Sequence, residues 1–102
     1  MSAPHFSRHV QRRWQQRVGR KVSVGQAFAR SVYVGQAKLR VHPGGRKRHM
    51  CYGYRYDCWV FVVTYHPRCV VITVWPIAWW EAKARQYQHW WAQTYHQEED
   101  RA

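Results

Sequence analysis

Trp59-Val60-Phe61-Val62-Val63-Thr64-Tyr65, then His66-Pro67-Arg68, then Cys69-Val70-Val71-Ile72-Thr73-Val74-Trp75: the reading of this stretch decides the fold. Both arms are built almost wholly from β-branched and aromatic residues, which fit a pleated, packed surface. Three residues with a proline join them, so they are expected to pair as an antiparallel hairpin. Being nearly all apolar, the two arms are expected at the centre of the sheet. Upstream, Met50 to Tyr56 alternates, with Tyr52, Tyr54 and Tyr56 on one side and Cys51, Gly53 and Arg55 on the other. Asp57 is the expected turn. Tyr33-Val34 and Leu39-Arg40-Val41 read as strand material interrupted near Gly35. Pro43-Gly44-Gly45 is a turn signal, and Arg46-Lys47-Arg48-His49 extends it as a basic loop.

Outside the strands the period lengthens. Phe6, Val10, Trp14 and Val18 recur every four residues, which predicts a helix over residues 4–18, with Pro4 in its first turn and Gly19 as its cap. Ser23 with Gln26 has the form of a capping box and predicts a second, short helix over 23–31. Pro76 ends the strands. A long Trp-rich helix is expected over residues 77–99, its stripe formed by Ile77, Trp80, Ala84, Tyr87, Trp91 and Tyr95. Trp79 and Trp90 fall off that stripe, on one side of the helix, and are the candidate partner interface. The acidic Glu98-Glu99-Asp100 opposes the helix dipole there, so fraying is expected. The expected fold is therefore a single α+β domain over 1–102: two N-terminal helices, an antiparallel sheet of three to four strands, and a long C-terminal helix.

Charge is divided along the chain. The net charge is +12, from 17 Lys and Arg against 5 Asp and Glu. Thirteen of the basic residues, and no acid, fall before Asp57; the remainder is near neutral. Such a field attracts polyanions, nucleic acid foremost, or an acidic protein. The longest apolar run, Trp59 to Val63, is far short of the roughly 20 residues of a membrane span, so no membrane partner is expected. No secretory signal is read at the start. With three cysteines in no paired spacing, a reducing cytoplasm and free thiols are expected.

The same inventory narrows the chemistry. His5 and His9 are four residues apart but lack further ligands and nearby acids, so no metal and no other cofactor is expected. Strand cysteines are usually inert, and no glycine-rich phosphate loop is present. What remains is His, Arg, Lys and Tyr. That set suits RNA transesterification: His moves the protons, and Arg and Lys stabilise the phosphorane. It suits backbone binding without cleavage equally well. The three tyrosines of residues 52–56 either stack bases on a sheet platform or lie packed under a helix.

His9-Val10-Gln11-Arg12-Arg13-Trp14-Gln15-Gln16-Arg17 resembles the opening helix of small RelE-like domains, including the BrnT-type toxins, which carry His-x-x-x-Arg-x-x-x-Arg. Val70 to Trp75 is similar to their last strand. The resemblance covers about residues 5–76. It implies the RelE/barnase-like ribonuclease fold, RNA cleavage, and a toxin–antitoxin setting. By position it implies a catalytic set of His9, Arg13, Arg55 and Thr73. Arg12, Arg17, Arg40, Arg46, Lys47, Arg48, His49 and Tyr54 are the candidate nucleic-acid contacts. Two readings stand side by side. One is a metal-independent endoribonuclease, with RNA and an acidic antitoxin or other acidic protein as partners. The other is a non-enzymatic nucleic-acid-binding or protein-inhibitor module, phage- or plasmid-borne, using the basic face of residues 5–55. Either accommodates a homodimer through the exposed tryptophans.

Overall fold

A computed structural model describes residues 3–40, 47–65 and 68–87. Seven elements follow one another: β1 (His5–Phe6), α1 (Arg8–Arg17), α2 (Val24–Ala29), β2 (Val32–Leu39), β3 (His49–Tyr56), β4 (Trp59–Thr64) and β5 (Val70–Pro76). Residues 77–87 then form a third helix, α3. The strands make one mixed sheet in the order β1-β5-β4-β3-β2. β2, β3, β4 and β5 pair antiparallel in succession, and β1 adds in parallel to the outer edge of β5.

This corrects the expected architecture. The sheet has five strands and is mixed, not a three- to four-stranded antiparallel one. A strand precedes the first helix, so Phe6 belongs to β1 and not to a helix over 4–18. The reason is Ser7. Its backbone N–H donates to the Val71 carbonyl at 3.1 Å, and its hydroxyl donates to the Ile72 carbonyl at 2.7 Å. The same hydroxyl accepts from Val10 N–H at 3.1 Å, which makes Ser7 the N-cap of α1. One residue thus fixes the edge of β5 and starts the helix. The long helix expected over 77–99 is also corrected. The third helix is short over the described residues, 77–87, and the rest of that span, Trp90 included, lies outside them.

Two further local signals have direct structural counterparts, while the expected turn at Pro43-Gly44-Gly45 lies outside the described residues. Ser23 and Gln26 form a reciprocal capping box at the start of α2. Gly19, at φ +95°, follows α1 and turns the chain away from it. Around Gly35 the chain is one strand, β2, bulged between Tyr33 and Gly35 and ending at Leu39; of the expected fragment Leu39-Arg40-Val41, Arg40 follows the strand and Val41 lies outside the described residues.

Two cores flank the sheet. On the first face, α1 packs on β5 and α2 on β3. Val10, Trp14, Ala27, Phe61, Val63, Val71 and Val74 are buried there. Trp14 stacks on Phe61 at 5.2 Å between ring centres, and its indole N–H donates to the Val22 carbonyl at 2.7 Å. On the second face, Ala37, Leu39, Cys51, Val60 and Val62 pack with Trp80 of α3. Trp80 packs closely on β3 because residue 53 is glycine: a Cβ there would stand 2.5 Å from the indole ring. β4, in the middle of the sheet, has Val60 to Val63 wholly buried between the two layers.

Candidate nucleic-acid interface

α2 has only six residues, and its cover over the first face ends where Phe28 meets Tyr54, 5.5 Å between ring centres. Beyond it the sheet surface is tyrosine. The bulge before Gly35 sets Tyr33 opposite Tyr54, and the register then places Gln36 opposite Tyr52. Residues directly opposite in a ladder share a face. Tyr65, just past β4, closes the group. Tyr33 lies 5.5 Å from Tyr54 and 6.4 Å from Tyr52, and Tyr65 lies 5.0 Å from Tyr52, ring centre to ring centre. The hydroxyls of Tyr54 and Tyr65 hydrogen-bond to each other. Tyr33 is 50% exposed and Tyr65 38%, while Tyr52 and Tyr54 are half-buried beneath them.

The electrostatics keep this surface neutral to positive. Burial, then the proximity of Tyr54 and Tyr52, raises the Tyr33 phenol above its usual range. Burial, then the hydrogen bond with Tyr54, raises that of Tyr65. Both therefore stay protonated at neutral pH. Arg30 lies two residues before β2 and Arg68 two before β5, both exposed. The described carboxylates are elsewhere: Asp57 is in the β3–β4 turn and Glu81 on α3.

The residues predicted for chemistry do not meet. His9, Arg12 and Arg13 are exposed on α1, on the first face. Arg55 pairs with Val60, and Thr73 with Val62, and both valines belong to the second core. Arg55 and Thr73 are therefore on the α3 face, and the sheet stands between them and His9 and Arg13. Arg55 donates from Nε to the Asp57 carbonyl at 2.8 Å and lines a cleft with Val34, Trp80 and Arg85. Arg17 is taken up by structure. Its Nη1 donates to the Val74 carbonyl at 2.9 Å, and its guanidinium lies 6.0 Å from the Trp59 ring centre and 5.5 Å from that of Trp79. Trp79, 55% exposed, thus covers an arginine while still presenting its outer side to solvent.

Of the other predicted contacts, Lys47 and His49 are exposed at the start of β3, and Arg40 and Arg48 line a second cleft with Lys38 and Lys83. Arg46 lies outside the described residues. Tyr54 sits inside the tyrosine group, whereas Tyr56 is half-buried against Trp14, 6.0 Å between ring centres. The sequence reading missed Tyr33 and Tyr65. Tyr65 was accessible, since Phe61, Val63 and Tyr65 alternate on one face; Tyr33 needed the bulge.

Cysteine chemistry finds no support. Burial pushes the Cys51 thiol up to about 12, and burial also raises that of Cys69; an activated thiol is shifted the other way. All three cysteines are free. Among the described residues no three His, Cys, Asp or Glu side chains come together, and no helix is long and apolar enough to cross a membrane. No family model, curated protein or solved structure matches the chain.

Proposed function

We propose that this protein binds single-stranded nucleic acid on the tyrosine surface of its sheet, without cutting it. One observation carries the reading: Tyr33, Tyr52, Tyr54 and Tyr65 form a continuous, partly exposed aromatic surface in a chain whose first 56 residues hold no carboxylate. Every base has a π-face, so stacking on such a surface tolerates any sequence, and each stacked base is worth about 1–3 kcal/mol. Arg30 and Arg68, both exposed, stand three residues in the chain from Tyr33 and Tyr65, and the field of the first half draws the backbone toward the surface. The placement of His9 and Arg13 on one side of the sheet and of Arg55 and Thr73 on the other favours binding over cleavage by that set. The cytoplasm is the compartment proposed with it, supported by three unpaired thiols.

The test is fluorescence anisotropy with labelled ten-nucleotide RNA and DNA strands and a duplex control. Single strands should bind more tightly than the duplex, with affinity falling steeply as salt rises. Changing Tyr33 and Tyr65 together to Ala should weaken single-strand binding by about 1–6 kcal/mol, the worth of one to two stacked bases. Equal affinity for duplex and single strand, unchanged in that variant, would refute the reading. Incubation with RNA in EDTA beside His9→Ala checks the rest: cleavage by the parent that the variant loses would make the protein a ribonuclease instead.

A further inference from the structure

On the opposite side of the sheet, a cleft of about 300 Å³ opens between α3 and the end of β2. Three cations line it from three separate segments: Arg40 just past β2, Arg48 just before β3, and Lys83 on α3; Lys38 also borders it, but its place between Ala37 and Leu39 of the second core directs its side chain to the other face of the sheet. Among the described residues no carboxylate lines it. Like charges gathered in a concave, partly apolar space raise one another's free energy, and a bound polyvalent anion relieves this. The walls between the cations are Trp75 and Tyr87, both half-buried. Flat aromatic walls beside a cation cluster match a ligand that joins an anionic group to an aromatic ring. The volume falls at the small end of ligand pockets, about 300–1,000 Å³, which is room for one nucleotide and not for a folded chain.

We infer that this cleft is a second, separate site that takes a nucleoside monophosphate, free or as the phosphorylated end of a strand. Its phosphate sits among Arg40, Arg48 and Lys83, where charge-assisted hydrogen bonds from arginine are strongest. Its base lies against Trp75 or Tyr87. The site shares no residue with the tyrosine surface, and the sheet separates the two. It recognises a phosphate monoester, whereas the tyrosine surface recognises unpaired bases.

Calorimetric titration of the whole protein with a nucleoside monophosphate, the matching nucleoside and inorganic phosphate tests the site. The monophosphate is expected to bind more tightly than either fragment. Changing Lys83 and Arg48 together to Ala, both exposed and so tolerated by the fold, should weaken it at least roughly tenfold, one decade in Kd. Changing Arg12 and Arg13 to Ala removes the same charge from α1 and should leave the affinity nearly unchanged. The Tyr33/Tyr65 alanine variant should also retain it. That result separates failure of this site from failure of the tyrosine surface. A 5′-phosphorylated ten-nucleotide strand should outbind its 5′-hydroxyl form in the parent and lose that advantage in the Lys83/Arg48 variant; this arm tells a strand end from a free nucleotide. Two results would overturn the inference. One is a monophosphate that binds no better than inorganic phosphate. The other is an affinity that falls equally in the α1 and cleft variants, since that would be net charge acting without a site.

Discussion

Gly53→Ala should destabilise the protein although it adds a single methyl group. The ideal Cβ would stand 2.5 Å from Cε2 and Cζ2 of Trp80, in a ring only 2% exposed and packed on β3. Ordinary contact needs about 3.5 Å or more between carbons, so the ring must retreat by about 1 Å. Indole is rigid, so α3 has to move with it. Overpacking of this kind costs about 1–3 kcal/mol. Complete expulsion of the ring sets the ceiling: about 150–250 Å² at about 25 cal/mol/Å² is about 4–6 kcal/mol. The expected loss is therefore about 2–3 kcal/mol. At about 4–8 °C per kcal/mol for a domain of this size, Tm should fall by about 10–20 °C. Urea titrations followed by circular dichroism measure it. Gly25→Ala is the control: nothing lies within 4 Å of its Cβ position and it sits in α2, so it should be neutral or gain about 0.5–1 kcal/mol. A double-mutant cycle with Trp80→Ala isolates the cause. In that background Gly53→Ala should cost little, because the clashing ring is gone. An equal cost in both backgrounds, or none in the parent, would refute the packing of α3 on β3 described above.

Three further outcomes are expected. Ser7→Ala removes the N-cap of α1 and the bond to the Ile72 carbonyl, so chemical denaturation should show a loss of about 1–3 kcal/mol. Arg17→Ala should cost about 1–2 kcal/mol through the lost bond to Val74 and the contacts with Trp59 and Trp79; Arg17→Lys, which lacks the planar fork, should recover only part of it in the same assay. Stability should fall in alkali. The Cys51 thiol is raised to about 12 in the fold against about 8.5 in an open chain, so the folded state holds the extra proton in that window. Its contribution is complete below about pH 8.5 and is lost as pH rises toward 12. Denaturation at pH 7 and pH 10.5 checks the sign, and Cys51→Ala should flatten the slope.

The strands β4 and β5 were legible because Val, Ile, Phe and Trp at successive positions have few other ways to be buried. The capping box of α2 was legible because Ser23 and Gln26 satisfy one another's backbone within four residues. β1 was not. Its two residues carry no period, and what makes them a strand is the edge of β5, more than sixty residues away, where His5 N–H reaches the Cys69 carbonyl at 2.9 Å. Pro4 and a four-residue apolar spacing pointed to a helix there, and Ser7, the true start of α1, outweighed them. The candidate site divides the same way. Tyr52 and Tyr54 share a face by alternation alone. Tyr33 joins them only through the bulge before Gly35, whose φ of +120° glycine adopts without strain.

By itself the sequence determined what short-range chemistry determines: which segments pleat, where one helix begins, and that positive charge is concentrated before Asp57. The resemblance of its first helix to RelE-like domains pointed to His9, Arg13, Arg55 and Thr73 as a catalytic set. Only the tertiary structure decided that they stand on opposite sides of a sheet. Alternation says that Arg55 and Tyr54 point apart, but not which of those directions α1 covers. That depends on where α1, α2 and α3 settle, and their placement is governed by contacts such as Trp14 on Phe61 and Trp80 on Gly53 between residues far apart in the chain.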